Sequence, residues 1–142
     1  MKRYIIVSAL DVRDHSMPEP EWYNDGDRSR SERTWGAIGA YMRAKYAADR
    51  DLVTNNERRK LDYTIVRPGG LNMEKGVGKV DAGKVHITET VSREDVAELV
   101  KQCIGEPGTI GLAFDVVGGS TPIADAVRHV AEKKVDTFNG RY

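Results

Sequence analysis

Tyr41 and Lys45 stand four residues apart in Tyr-Met-Arg-Ala-Lys, inside a stretch whose apolar residues recur at helical intervals. On an α-helix, positions i and i+4 lie about 40° apart, so both side chains project the same way. A cation held beside a phenol favours the phenolate. That is how a tyrosine becomes a general acid/base near neutral pH. Lys45 also falls within the apolar stripe, where an ammonium must reach outward, pair with an acid or meet a polar ligand. Six tyrosines and nine lysines in 142 residues give about 0.4 such pairs by chance. The spacing therefore gains its weight from its setting.

Other chemistries find less support. Cys103 is the only cysteine, which excludes an internal disulfide framework and a cysteine-rich zinc site. His15, His86 and His129 lie far apart in sequence, without metal-ligand spacing. Twenty-two basic residues balance twenty-two acidic ones, so charge argues for neither nucleic acid nor an anionic membrane as partner. Arg28, Arg30 and Arg33 among serines, and the Glu57–Lys60 run, read as solvated surface. The apolar run from Tyr4 to Leu10 is too short to span a membrane or to serve as a signal peptide. A cytoplasmic, reducing environment is expected.

The elements that must position Tyr41 and Lys45 follow from the apolar pattern. Residues 3–9 form a continuous apolar run, as in a strand buried on both faces of a parallel sheet. Residues 11–31 carry Pro18, Pro20 and Gly26 and read as a long loop. Its acids, among them Asp11 and Asp27, read as hydrated. Trp22 and Tyr23 suit either a pocket rim or packing. From about Thr34 to Lys60, Trp35, Ile38, Tyr41/Met42, Lys45, Ala48 and Leu52 share one helical face. Gly36 and Gly39 within it leave room for a second helix, in this molecule or at a subunit interface.

Residues 62–67 predict a second strand, stopped by Pro68-Gly69-Gly70. Residues 79–87 predict a small hairpin turning at Ala82-Gly83. Ser92 caps another helix, with Asp95 in the capping-box position. Gly111 to Val117 predicts a third strand, and Thr121-Pro122 opens a last helix running to about Lys133. Helical crossovers between apolar strands predict an α/β single domain with a parallel sheet. A strand as apolar as residues 4–7 should have neighbours on both edges.

Several blocks, taken in order, resemble the atypical short-chain dehydrogenase/reductases, in particular the epimerase-like and nitrogen-metabolite-repressor-like group. They are Tyr41-Met-Arg-Ala-Lys45-Tyr-Ala-Ala-Asp49, Leu61-Asp-Tyr-Thr-Ile-Val-Arg67-Pro68-Gly69-Gly70-Leu71, Val91-Ser92-Arg93-Glu94-Asp95-Val96-Ala97 and Phe114-Asp-Val-Val-Gly118-Gly119. The likeness extends from Arg3 to about Glu132. It implies an incomplete doubly wound, Rossmann-like sheet of about three parallel strands with flanking helices, and NAD(P) as cofactor. Tyr41 would be the catalytic acid/base, and Lys45 would hold the nicotinamide ribose and tune the tyrosine. Pro68, Gly69, Gly70 and Leu71 would lie against the nicotinamide. The first strand would lead to the catalytic serine, for which Ser8 is the candidate; related enzymes place it two residues later, nearest Leu10, so the other reading of Ser8 is a backbone-bonding residue at the strand end.

The family grips pyrophosphate with a Gly-x-x-Gly-x-x-Gly turn between its first strand and helix. Nothing before Tyr4 supplies one. Gly69-Gly70 and Gly76-Val-Gly78 do not sit in a strand–turn–helix unit. Gly118-Gly119 does join a strand to a helix, but reads as a connection and cap. The expectation is therefore the C-terminal part of an NAD(P)-dependent oxidoreductase or epimerase-like protein acting on a small carbonyl or alcohol. Dinucleotide binding would be weak or absent without the N-terminal half. Two other readings stand beside it: a non-catalytic dinucleotide-binding regulator or redox sensor, and an inactive fragment.

Overall fold

The computed structural model describes residues 2–142. The apolar runs become strands β1 (Arg3–Val7), β2 (Asp62–Pro68) and β6 (Leu112–Gly118). They are parallel, with Ile5 opposite Thr64 and Val66 opposite Phe114. Continuous apolar sequence makes sense here because helices cover both faces. On one face Val66, Phe114 and Val116 pack with Leu99 and Cys103 of α3 (Arg93–Ile104) and Val127 and Val130 of α4 (Ile123–Lys133). On the other, Ile65 and Ala113 meet Leu52 of α1 (Asp25–Thr54) and Phe138 of the C-terminal segment.

The predicted hairpin is not one. Strand β4 (Lys79–Gly83) does not fold back on residues 84–87 but lies antiparallel to β6, with Val80 opposite Gly118. Its other edge pairs with the two-residue β7 (Thr121–Pro122), giving the order β1-β2-β6-β4-β7. Val80 and Gly83 are buried in that position, so the segment's apolar residues were satisfied by a distant strand rather than by a local turn. Gly118 and Gly119 are required by this packing. A Cβ on Gly118 would stand 2.4 Å from the Thr90 carbonyl oxygen, and one on Gly119 2.2 Å from the Asp81 carboxyl carbon. The turn that joins β6 to α4 is thus filled by protein. A separate parallel pair, β3 (Leu71–Asn72) with β5 (Val91–Ser92), ties the segment after β2 to the start of α3.

Two further expectations, both on the bounds of the long helix, are corrected. Helix α1 begins nine residues before Thr34, because Asn24 and Asp27 form a reciprocal capping box. It ends at Thr54, and residues 56–59 form the separate turn α2 (Asn56–Arg59). Strand β1 pairs with β2 alone among the described residues, and Tyr4 and Val7 on it are exposed. Within α1 the backbone leaves helical geometry at Ile38 (φ −130°, ψ 35°), between Gly36 and Gly39, the two weak helix formers. The kink lies one turn before Tyr41. Ser92 caps α3 as expected, its hydroxyl accepting from the Asp95 N–H. No helix among the described residues is long and apolar enough to cross a membrane.

Candidate functional site

The parallel strands end together at Val7, Pro68 and Gly118, and the crevice beyond such ends is where open α/β sheets place their ligands. A cleft of about 440 Å³ opens there. The strand ends supply Ser8, Pro68, Gly69 and Gly70; the kinked part of α1 supplies Ile38, Tyr41 and Met42. Ile87 and Arg93 also line it. Six of the residues singled out by sequence, Ser8, Tyr41, Pro68, Gly69, Gly70 and Leu71, thus share one cleft.

Tyr41 is 48% exposed, and its hydroxyl makes no hydrogen bond among the described residues. Lys45 does not line the cleft. Its amine sits behind Tyr41, 5.6 Å from the ring centroid, and donates to the Val7 carbonyl at 3.0 Å. The half-buried ammonium is therefore held by the end of β1, beside the phenol, as the helical spacing required.

The sequence reading missed the third member of this ladder. Asp49 lies four residues beyond Lys45 and is fully buried. One carboxylate oxygen accepts the Ser8 hydroxyl, and the other has no partner. Burial pushes the Asp49 carboxyl above its ordinary range, against the Ser8 hydrogen bond and the charges of Arg67 and Lys45. The consequence for Ser8 is direct. A serine hydroxyl carries one proton, and here it points at Asp49. With Asp49 ionised, Ser8 offers the cleft lone pairs but no donor. Extending the Tyr41–Lys45 register by one more turn would have found Asp49 in the sequence.

Asp11 also departs from expectation. It is buried, not hydrated, at a left-handed φ of 69°. Its carboxylate takes hydrogen bonds from Arg13 Nε at 3.0 Å, Tyr23 Oη at 2.9 Å, Ser31 and Trp35 Nε1 at 3.1 Å. Four donors on one carboxylate clamp the loop from residue 11 to residue 24 onto α1. Burial and the neighbouring Asp11 charge push the Tyr23 phenol well above its ordinary range. Trp22 packs away from the cleft, its indole N–H donating to the Val85 carbonyl at 3.1 Å.

Asp27 fixes the other flank. It too is fully buried, and accepts from His86 Nδ1 at 2.6 Å and from the Asn24 and Ile87 N–H groups at 2.9 and 2.8 Å. Burial pushes this carboxyl up, but the three donors outweigh it and hold it below its ordinary 3.8. A carboxyl depressed in the folded state stabilises fully above its unfolded value, and that stability is lost as pH falls through the folded one. Urea unfolding is therefore expected to show stability falling below about pH 4, by less in Asp27→Asn than in the parent. Equal pH slopes in the two proteins would contradict this account.

No group of three or more metal-ligating side chains occurs among the described residues. What the cleft offers is a phenol without a hydrogen bond among the described residues and a cation 5.6 Å from its ring centroid, a pair suited to moving a proton.

Comparison with known proteins adds a family to this geometry. A sequence model of a family described as NAD(P)H-binding matches residues 1–107. A Schizosaccharomyces pombe protein whose name states no activity is 40% identical over 127 residues, 89% of this chain and 51% of that protein. A Bacillus subtilis protein described as an uncharacterized sugar epimerase is 38% identical over 128 residues, 90% of this chain and 50% of its own length. The crystal structure of a Lactococcus lactis oxidoreductase matches with a TM-score of 0.72 at 27% identity, covering 92% of this chain and 52% of that one. The chain spans about half the length of the curated relatives it matches.

Proposed function

The chain belongs to the NAD(P)H-binding family, and from that premise we propose that it forms the catalytic side of a nicotinamide-dependent reductase or epimerase-like protein of the atypical short-chain dehydrogenase/reductase type. The observation that carries the reading is the position of Tyr41: it lines the cleft at the strand ends with its hydroxyl unbonded among the described residues, and the Lys45 ammonium stands 5.6 Å from its ring centroid.

The nicotinamide end of the cofactor fits the residues present. Pro68, Gly69, Gly70 and Leu71 line the cleft together with Tyr41, and Lys45 would serve a ribose hydroxyl from its place beside the Tyr41 ring and the end of β1. When bound, nicotinamide supplies or takes the hydride. Tyr41 gives its proton to the carbonyl oxygen of a small carbonyl compound as the alcohol forms, or takes it back in the reverse direction. Lys45 stabilises the phenolate left behind. Asp49 holds Ser8 at the end of β1 and keeps that wall of the cleft in place.

The diphosphate end does not fit. Among the described residues the only glycine pair joining a strand to a helix, Gly118-Gly119, is occupied by the Thr90 carbonyl and Asp81. We therefore propose that dinucleotide binding by this chain alone is weak or absent, and that the whole activity needs a phosphate-binding turn from elsewhere. The test is titration of NADPH and NADH followed by NMR. Dissociation constants of about a millimolar or weaker, equivalent to about −4 kcal/mol at best, are expected, with shifts centred on Tyr41 and Gly69-Gly70. Micromolar binding would overturn the second proposal, and shifts confined to another region would overturn the first.

One observation favours a second reading, a dinucleotide-binding regulator without turnover. With Asp49 ionised, the Ser8 proton is directed at that carboxylate, which removes Ser8 as a donor to a carbonyl in the cleft.

A further inference from the structure

Arg93 is the one cleft residue whose charge nothing else in the structure uses. It is the first residue of α3, is exposed, and lines the cleft together with Tyr41. Among the described residues no carboxylate lies within salt-bridge distance of it. Its only hydrogen bond is from Nη1 to the Met73 sulfur at 3.0 Å, a weak acceptor on a side chain that is 84% exposed.

The acids that could have neutralised it are committed elsewhere. Glu94 accepts the Gly76 N–H at 2.7 Å, and Asp95 accepts the N–H groups of Val77 and Gly78. Asp11, the only other charged residue lining the cleft, has Arg13 and three further donors. The cleft therefore carries an unneutralised guanidinium in its lining. Leu10, Ile38, Met42, Leu71 and Ile87 make much of the rest apolar, with Ser8 and Thr34 as small polar members. A guanidinium is a planar fork suited to two-point binding of a carboxylate or phosphate.

We propose that the cleft takes a carbonyl compound with an apolar body and an anionic end, and that Arg93 binds that end while the carbonyl lies at Tyr41. The inference rests on the cleft being the catalytic one. It favours such a compound over a neutral sugar, several of whose hydroxyls would meet the five apolar side chains instead of polar partners. About 440 Å³ is room for a small ligand of this kind.

The experiment is NMR-monitored titration of the full chain with 4-methyl-2-oxopentanoate, its methyl ester, inorganic phosphate and glucose. The 2-oxo acid is expected to shift the Arg93 side-chain Nε–H and the Gly69 and Gly70 amides, and to bind about tenfold or more tightly than its neutral ester. Arg93→Met, which should fold because the side chain is exposed and unpaired, is expected to remove that preference, and Arg93→Lys to restore part of it. Phosphate binding that vanishes in Arg93→Met, without binding of the acid, would keep the anionic end and assign it as a phosphoryl group. Equal binding of acid and ester, unchanged binding in Arg93→Met, glucose as the sole ligand, or no binding of any probe would overturn the proposal. So would a loss in Arg93→Met confined to NADPH, which would give the arginine to the cofactor. Tyr41→Phe, with turnover read on the chain joined to the phosphate-binding half of a longer relative, separates the two layers: the preference for the acid over its ester, which Arg93 sets, should persist. Turnover surviving that change would sink the proposed chemistry alone, whereas loss of turnover with no acid preference would sink only the assignment of Arg93.

Discussion

Replacing Tyr41 by phenylalanine is expected to lower nucleotide-dependent turnover by about 10²–10⁴-fold, the range supplied by a positioned general acid. The measurement is made on the chain joined to the phosphate-binding half of a longer relative, with nucleotide binding followed in parallel. The substitution removes one oxygen atom and nothing that the fold uses. The hydroxyl makes no hydrogen bond among the described residues and the residue is 48% exposed. Stability and nucleotide affinity should therefore stay within error of the parent, and a lost rate would be chemical in origin. Lys45 is a less clean test, because its amine also secures the Val7 carbonyl. A regulator predicts something different: Tyr41→Phe would bind and signal as before. An unchanged rate in Tyr41→Phe would remove the phenol from the chemistry altogether.

Asp115→Ala is expected to destabilise the protein by about 3–5 kcal/mol, the cost of leaving a buried charge without its partner. Arg67 and Asp115 stand opposite one another in the β2–β6 register, with Nε and the carboxylate 2.8 Å apart and both side chains almost wholly buried. Thr137 adds a hydrogen bond to Asp115 at 3.0 Å, and the Arg67 guanidinium rests 5.2 Å from the Phe138 ring centroid. One guanidinium nitrogen already lacks a partner. Removing the carboxylate would strand a full positive charge between the two hydrophobic clusters. Urea denaturation gives the loss directly, and a change below about 1 kcal/mol, typical of an exposed pair, would show that water reaches the site. The double change Arg67→Met with Asp115→Leu is expected to recover much of the loss, since a buried pair contributes little net stability over well-packed apolar groups. Arg67 immediately precedes Pro68 on the cleft floor, and its charge acts on Asp49. The pair thus joins the core to the site.

The local elements were legible wherever a single segment carried its own signal. The runs at residues 3–7, 62–68 and 112–118 are apolar enough to demand cover on both faces, and they became the three parallel strands. Ser92 with Asp95 announced the start of α3, because a cap is a contact between near neighbours. The Tyr41–Lys45 pair followed from helical geometry alone. Asn24 and Asp27 carried an equally local cap, and the prolines and acids around them masked it.

What only the tertiary structure decided depends on partners far apart in sequence. Whether residues 79–87 turn back or join β6 rests on Val80 meeting Gly118, 38 residues away. The burial of Asp11 and Asp27 depends on donors from Trp35, Ile87 and His86, and an acidic side chain does not reveal in sequence which donors will reach it. Arg93 gave no signal of its own, since an arginine's freedom is defined by acids that bind something else. Sequence fixes periodicity and caps through contacts within a turn or two; charge, once removed from water, is settled by whatever the folded chain brings within hydrogen-bonding distance.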